Sequence, residues 1–283
     1  MGFQELASDT RPRTRNGVGA RIKISQTTII TTLNLFSSLI VRIRFRYGSE
    51  SVTCLVFSFK QKRKQERKNK TMRRLPVYLL VDVSGSMHGE PIESVKNGLQ
   101  MLVATLRKDP QALETAYLSV ITFGSTAQQI IPLTELAAFQ IPEISAGGCT
   151  VLGEALDLVC QCREKEVTKT TAEQKGDWRP MVFILTDGVP TDDPKPGIDK
   201  FRSMKWGASV CCAAGSGADK SLLNTITPEC VVEIASADQS TLGAFFKWVT
   251  ASIVSTSKSI NESGTSVESM SQLPPPPPEV QIV

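Results

Sequence analysis

The stretch PVYLLVDVSGSMHGEP, residues 76–91, decides the fold class of this chain. Its apolar half has the length and composition of a buried strand, and it ends at Asp82. Two serines, Ser84 and Ser86, follow at alternate positions before a turn broken by glycines. The stretch therefore predicts a buried strand whose carboxyl end presents a carboxylate and two hydroxyls to solvent.

Strand and helix patterns alternate along the chain after this stretch. Residues 90–110 have apolar side chains at helical spacing, and residues 180–188 form a continuously apolar run. The predicted segments are a strand at 77–83, a helix at 90–110, a hairpin at 116–124 and 127–136, a helix at 150–167, a strand at 180–188, a helix at 196–204, a strand at 208–215, a helix at 219–226, a strand at 230–235 and a helix at 240–254. This alternation predicts an α/β fold, with a doubly wound, mostly parallel sheet and helices on both faces.

Charge divides the chain into two unlike parts. Residues 1–71 hold 15 of the 32 Lys and Arg residues but only 4 of the 28 Asp and Glu residues. The remainder is mildly acidic, which argues against nucleic-acid binding by the main domain. We expect residues 1–71 to be a basic extension outside the fold, with the working protein starting at Met72; the alternative is a basic arm at a membrane surface. We expect residues 72–255 to form one domain and residues 256–283 to be a disordered Ser/Pro-rich tail, with a polyproline II segment at 274–278.

Composition also limits the cellular setting. The apolar stretch 27–41 is shorter than the roughly 20 residues of a spanning helix, and Thr, Ser and Asn interrupt it, so we predict no membrane span. The seven cysteines are odd in number and form no C-x-x-C pair, which predicts reduced thiols in a cytoplasmic protein. His88 is the single histidine, so a zinc site would need several thiols brought together by the fold.

Three loops are predicted to carry oxygen-bearing side chains to the same edge of the sheet. Asp82 and Asp187 each end an apolar run, and Thr150 follows the glycine-rich SAGGC segment. In open α/β sheets, ligands bind beyond the carboxyl ends of the strands, where the strand order reverses. Two carboxylates and three hydroxyls are hard donors that suit Mg²⁺ or Mn²⁺ better than zinc. The sequence therefore predicts a metal site formed by Asp82, Ser84, Ser86, Thr150 and Asp187.

The charge of this donor set predicts binding rather than catalysis. Two carboxylates only neutralise a divalent ion, and Mg²⁺ takes about six ligands, so positions remain for water or for an outside oxygen. A partner's Asp or Glu side chain would suit such a position. We therefore predict no catalytic residues, and a partner-binding rim that includes Met87, His88 and Thr191.

The segments DVSGS, CT and TDG resemble the metal-ion-dependent adhesion site (MIDAS) of von Willebrand factor A (VWA) domains. Longer segments, among them DPQALETAYLSVITF and EQKGDWRPMVFILTDG, are similar to the bacterial tellurite-resistance-associated VWA proteins of the TerY type over about residues 72–255. This resemblance implies a non-enzymatic, cytoplasmic, metal-dependent interaction module in a tellurite or metal-stress resistance system. The implied partners are a protein kinase and a protein phosphatase encoded beside it.

The resemblance also implies a role for each predicted ligand. Asp82, Ser84 and Ser86 would form the first metal-binding segment, in which the two serine hydroxyls coordinate directly. Thr150 would reach the metal directly in one state and through water in another. Asp187 would act mostly through water.

Two other functions remain open at this point. One is an extracellular VWA adhesion protein. The other is a haloacid-dehalogenase-type phosphatase, which also places an Asp at the end of its first strand, binds Mg²⁺ and would use later acids such as Asp192 and Asp193. That enzyme needs an acid two residues after the nucleophile, where this chain has Ser84. A serine cannot protonate a leaving group near neutral pH as a tuned carboxylic acid does.

Overall fold

The central strand of the structure, β1 (Leu75–Asp82), has every residue buried and a parallel neighbour on each side. The structure is a computed structural model that describes residues 73–228, 230–264 and 270–283. The predictions for residues 1–71 lie outside the described residues. The strands that follow are β2 (Ala116–Phe123), β3 (Ala127–Glu135), β4 (Met181–Thr186), β5 (Ser209–Ala214), β6 (Val231–Ile234) and β7 (Val280–Ile282).

These strands form one sheet in the order β3-β2-β1-β4-β5-β6-β7. The five strands from β2 to β6 in this order pair in parallel, and β3 and β7 are antiparallel edge strands. The chain proceeds from β1 to β3 on one side and from β4 to β6 on the other. The strand order therefore reverses between β1 and β4, which is where open α/β sheets bind ligands.

Helices cover both faces of the sheet, and the predicted fold class is confirmed. They are α1 (Glu90–Leu106), α2 (Pro110–Thr115), α3 (Leu152–Glu166), α4 (Lys195–Ser203), α5 (Lys220–Ile226) and α6 (Gln239–Ser263). Two hydrophobic clusters form the core, one with residues of α1 and α6 and the other with residues of α3, α4 and α5. Strand β1 contributes Val77, Leu79 and Val81 to the first and Tyr78 and Leu80 to the second, because successive side chains point to opposite faces.

The end of the first helix differs from the prediction. Helix α1 ends at Leu106, and Pro110 begins the separate helix α2 instead of closing α1. The Asp109 carboxylate accepts hydrogen bonds from the backbone N–H groups of Gln111 and Ala112. An Asp cap followed by Pro at the first helical position is a helix start, so this pair of residues begins a new helix.

The prediction of a disordered tail from residue 256 is wrong in two places. Helix α6 continues to Ser263, and the last residues form β7, which pairs with β6 at the edge of the sheet. Buried hydroxyls explain the missed helix: Thr256 donates to the Ser252 carbonyl one turn earlier, at 2.8 Å. Hydroxyls bonded within the helix can be buried, so a Ser- and Thr-rich segment need not be exposed.

The proline segment is held in place by contacts with α6. The indole Nε1 of Trp248 donates a 2.8 Å hydrogen bond to the Pro274 carbonyl, and Leu273 and Val280 are buried in the core cluster of α1 and α6. A buried indole N–H requires a hydrogen-bond acceptor, and the Pro274 carbonyl supplies it. An open strand edge exposes unpaired backbone groups, and β7 pairs with those of β6. None of the described helices is long and apolar enough to span a membrane.

Two arginines before β1 tie the loop that precedes β4 to the start of the fold. Arg74 makes a forked pair with Asp177, in which Nε lies 3.0 Å from Oδ1 and Nη2 lies 2.6 Å from Oδ2. The guanidinium of Arg73 lies 3.5 Å from the centroid of the Trp178 ring. These contacts make Arg73 and Arg74, which precede β1, part of the fold.

Candidate metal centre

The two predicted carboxylates lie at the carboxyl ends of neighbouring strands. Asp82 is the last residue of β1, and Asp187 follows the last residue of β4. Val81 pairs with Leu185 in the parallel ladder between these strands. Both carboxylates are therefore at one edge of the sheet, at the place where the strand order reverses.

Asp82 is fully buried, with 0% of its surface exposed. Its Oδ1 accepts a 2.8 Å hydrogen bond from the Ser84 backbone N–H, and its Oδ2 accepts a 2.6 Å hydrogen bond from the Thr186 hydroxyl. Burial raises the pKa of Asp82 above its ordinary value, and the hydrogen bonds from Ser84 and Thr186 offset part of this rise. These bonds fix the orientation of the Asp82 carboxylate.

A row of hydrogen bonds links the serines to the second carboxylate. The Ser84 and Ser86 hydroxyl oxygens are 3.0 Å apart, and the Ser86 hydroxyl donates a 2.7 Å bond to Asp187 Oδ1. Ser84 is buried, whereas Ser86 is exposed at the surface. The row therefore runs from the buried Asp82 loop to an oxygen cluster that solvent can reach.

Thr150 lies beside this row. Thr150 is buried, with 6% of the residue's surface exposed. A Cβ atom built on Gly188 would lie 3.7 Å from Thr150 Oγ1 and 4.0 Å from Ser86 Oγ. Both hydroxyls therefore face the same spot next to Asp187, and the five predicted residues are brought together.

The loop that carries Thr150 is bonded to the loop after β1. The Gly147 N–H donates to the Val83 carbonyl at 2.7 Å, and the Gly85 N–H donates to the Gly148 carbonyl at 3.0 Å. Gly148 has a φ of 85°, and a Cβ there would collide with the Ser125 hydroxyl. Glycine is therefore required at position 148 for both backbone conformation and space.

The predicted rim needs one correction. His88 and Thr191 are exposed, but Met87 is fully buried and belongs to the core cluster of α1 and α6. Met87 is the last residue of a short 3₁₀ turn, Gly85–Met87, which points its apolar side chain inward. An exposed rim therefore cannot include Met87. Only the tertiary packing places this residue in the core.

Thr186 is a residue of this edge that was not predicted. It ends β4, is 1% exposed, and directs its hydroxyl to Asp82. A buried Thr immediately before Asp187 was the available signal, since a buried hydroxyl requires a hydrogen-bond partner.

The donor set fits a hard divalent cation. The edge offers two carboxylates and three hydroxyls, and such oxygen ligands suit Mg²⁺, Mn²⁺ or Ca²⁺. Across residues 73–228, 230–264 and 270–283, no group of three or more His, Cys, Asp or Glu side chains is arranged to hold a metal. The hydroxyl-rich edge has two such side chains, and hydroxyls supply its other three donors.

The two later acids of the phosphatase alternative are engaged with backbone groups. Asp192 Oδ2 accepts a 3.0 Å hydrogen bond from the Glu154 N–H, and Asp193 Oδ1 accepts a 3.1 Å bond from the Lys195 N–H. The N–H groups that they contact lie in the first turns of α3 and α4, where backbone N–H groups lack partners within the helix. Their contacts are those of helix-capping residues.

Three known proteins are similar to parts of this chain. An uncharacterized protein of Synechocystis sp. (strain ATCC 27184 / PCC 6803 / Kazusa), sll0103, is 34% identical over 123 residues, which cover 41% of this chain and 26% of that protein. A von Willebrand factor type A structure from Catenulispora acidiphila is 18% identical with a TM-score of 0.51, and the match covers 65% of this chain and 43% of that one. Proximal thread matrix protein 1 from the mussel byssus, solved with a zinc-occupied MIDAS motif, is 21% identical with a TM-score of 0.47, and the match covers 63% of this chain and 48% of that one.

This chain therefore matches about a quarter of the Synechocystis protein and less than half of each of the two solved chains. At these identities the likeness to the solved structures concerns the fold. A family model for the von Willebrand factor type A domain matches residues 77–247, which include every oxygen ligand predicted at the sheet edge. Because this match covers more than half of the chain, the protein belongs to the von Willebrand factor type A domain family.

Proposed function

We propose that this protein is a metal-dependent protein-interaction module that binds an acidic side chain of a partner. VWA domains mediate protein–protein interaction and are generally not enzymes. The observation that carries the proposal is the hydrogen-bonded row in which Ser84 contacts Ser86 and Ser86 donates to Asp187. The hydroxyl oxygens and the Asp187 carboxylate thus lie at the solvent-accessible carboxyl edge of the sheet, next to the buried carboxylate of Asp82.

The residues that would hold Mg²⁺ or Mn²⁺ are Asp82, Ser84, Ser86, Thr150 and Asp187. A bound divalent ion would supply the positive charge that attracts a partner's carboxylate. The two aspartates balance that charge, and the three hydroxyls add none. Because Mg²⁺ takes about six ligands, these five donors leave a position for an anionic ligand from a partner. The bonds from Thr186 and from the Ser84 N–H hold the Asp82 carboxylate in one orientation.

The same residues offer no means of turnover. Ser84 occupies the place where a phosphatase of the haloacid-dehalogenase type needs an acid, and a serine hydroxyl is too weak an acid for that role. Asp192 and Asp193 accept bonds from backbone N–H groups at helix starts. We therefore propose binding without catalysis.

The cellular role is proposed from the sequence resemblance to TerY-type proteins. In that role the protein acts in the cytoplasm, within a tellurite or metal-stress resistance system, and its partners are the kinase and the phosphatase encoded beside it. The alternative is an extracellular VWA adhesion protein. Recovery of the native protein from the culture medium, rather than from the cell extract, would favour that alternative.

Calorimetric titration of the purified, EDTA-treated full chain with Mg²⁺ and with Mn²⁺ tests the metal site. We expect saturable binding of a single ion per chain. The interaction is tested by measuring the affinity of the purified kinase and phosphatase for the chain with Mg²⁺ and with EDTA. Absence of ion binding, or equal partner affinity in EDTA, would contradict the proposed function.

A further inference from the structure

Thr150 is joined to the loop after β4 by a reciprocal pair of hydrogen bonds. The Thr191 N–H donates to the Thr150 carbonyl at 2.9 Å, and the Thr150 N–H donates to the Thr191 hydroxyl at 3.1 Å. The two residues are 41 positions apart in sequence. Thr191 follows Asp187 by four residues on the same loop, so the pair connects two of the loops that carry predicted ligands.

Asp192 makes a second connection between the same two parts of the chain. Its Oδ2 accepts a 3.0 Å hydrogen bond from the Glu154 N–H in the first turn of α3. The cap residue of α3 is Val151, which has no side-chain acceptor. Because the first N–H groups of a helix lack intrahelical partners, Asp192 supplies from another loop the acceptor that the local sequence lacks.

The start of α3 also contacts this loop directly through glycine. A Cβ atom on Gly153 would lie 2.7 Å from the Asp193 carbonyl oxygen, 2.7 Å from Pro194 Cα and 2.9 Å from Asp192 Oδ2. A Cβ on Gly197, in the first turn of α4, would collide with the Gly153 carbonyl oxygen. The backbone of α3 therefore rests on residues 192–197 without an intervening side chain.

We propose that Thr191 and Asp192 are positioning residues of the metal site. They hold the Thr150 backbone and the first turn of α3 against the loop after β4, so that the Thr150 hydroxyl and the Asp187 carboxylate keep a fixed separation. Thr150 needs this support because the segment before it contains Gly147 and Gly148, which by themselves restrict the backbone little. The proposal rests on the proposed metal-binding function, and it assigns Thr191 a supporting role in place of the predicted contact with a partner.

Four variants of the full chain test this role. Thr191→Val keeps the side-chain shape and removes the hydroxyl that accepts from the Thr150 N–H, whereas Thr191→Ser keeps that hydroxyl. Asp192→Ala removes the acceptor of the Glu154 N–H. Thr126→Val is the matched control, since Thr126 is an exposed threonine in the β2–β3 turn outside the five predicted ligands and their supporting residues.

Two readouts are measured for each EDTA-treated variant, namely its calorimetric affinity for Mn²⁺ and its thermal midpoint in EDTA. Residues that orient metal ligands typically contribute 10–100-fold to metal affinity. We expect Thr191→Val and Asp192→Ala to lose about 10-fold or more in affinity, with Thr191→Ser and Thr126→Val close to wild type. The thermal midpoint of Thr191→Val should remain within a few degrees of wild type, so that unfolding does not account for the loss.

Amide hydrogen exchange in EDTA gives a readout that does not depend on the metal. The Thr150 amide should exchange faster in Thr191→Val than in Thr191→Ser, and the Glu154 amide should exchange faster in Asp192→Ala. If wild type binds Mn²⁺ and Thr191→Val binds it equally tightly, the positioning role is wrong and the proposed function stands. If wild type binds no Mn²⁺, the proposed function fails and the inference fails with it.

Discussion

The Ser86 hydroxyl donates a 2.7 Å hydrogen bond to Asp187 Oδ1 across 101 positions of sequence. This bond joins the loops that follow β1 and β4, the two strands between which the strand order reverses. It connects a hydroxyl that carries no charge to a carboxylate that does. A substitution of Ser86 therefore removes a neutral oxygen, whereas a substitution of Asp187 can also remove a negative charge from the proposed metal site.

Asp187→Asn should abolish measurable Mg²⁺ and Mn²⁺ binding while the fold is retained. The change keeps an oxygen that accepts from Ser86 but removes one of the two negative charges that balance a divalent ion. Calorimetric titration and the thermal midpoint in EDTA measure the two effects. Asp193→Asn is the matched control, because Asp193 is exposed at the same edge and contacts the Lys195 N–H instead. Equal ion affinity in Asp187→Asn and wild type would show that this edge does not hold the metal.

Thr150→Val should weaken partner binding more than metal binding. The substitution removes one neutral hydroxyl and leaves both carboxylates, so ion affinity should fall by about 10-fold, as expected for Thr191→Val, which misplaces the same hydroxyl. The affinity of the proposed partner, a purified kinase or phosphatase, in Mg²⁺ is compared with the ion affinity of the same variant. EDTA should reduce wild type and Thr150→Val to the same residual partner affinity. If the affinity for the partner falls no more than the affinity for the ion, Thr150 has no role of its own in partner recognition.

The C-terminal strand should contribute to stability through its inward residue. Val280 is 2% exposed and Ile282, on the same strand, is 58% exposed. Val280→Ala should lower the free energy of unfolding by about 1.5 kcal/mol, since two buried methylene equivalents are worth about 0.8 kcal/mol each. Ile282→Ala should change it by less than about 0.5 kcal/mol, as surface substitutions usually do. Urea unfolding checks both, and equal effects would mean that β7 does not form as described.

Gly98 in α1 and Gly243 in α6 should respond to alanine in opposite directions. A Cβ on Gly98 in α1 would collide with the ring of Phe246 in α6, whereas a Cβ on Gly243 in α6 would have no atom within 4 Å. Gly98→Ala should destabilise the protein by about 1–3 kcal/mol, because overpacking forces neighbouring groups to move. Gly243→Ala should stabilise it by about 0.5–1 kcal/mol, because alanine is the better helix former.

Urea unfolding of both glycine variants and of Gly98→Ala combined with Phe246→Leu provides the measurement. The smaller and more flexible leucine should recover part of the loss caused by Gly98→Ala. If Gly98→Ala is as stable as wild type, the two helices do not approach each other as closely as the structure has them.

The order of strands and helices was determined by the sequence itself. Each element from β1 to α6 was predicted within a few residues of its observed bounds, except the short helix α2 and the C-terminal end of α6, because apolar periodicity reports which faces of a segment are buried. Asp82, Ser84 and Ser86 were also identifiable, since Asp82 ends a buried strand and the two serines follow within four positions. Asp187 was recognisable for the same reason, at the end of a second apolar run.

Only the tertiary structure determines the contacts between loops and the conformation of residues 270–283. The bonds between Thr150 and Thr191, the hydroxyl that Thr186 directs to Asp82, and the burial of Met87 depend on how distant segments meet. The proline-rich segment looked unstructured because its composition is poor in apolar residues, yet the Trp248 indole and the edge of β6 supply the partners that order it. Composition and periodicity describe the local chain, whereas a hydrogen bond across a hundred residues requires the sheet that brings its two ends together.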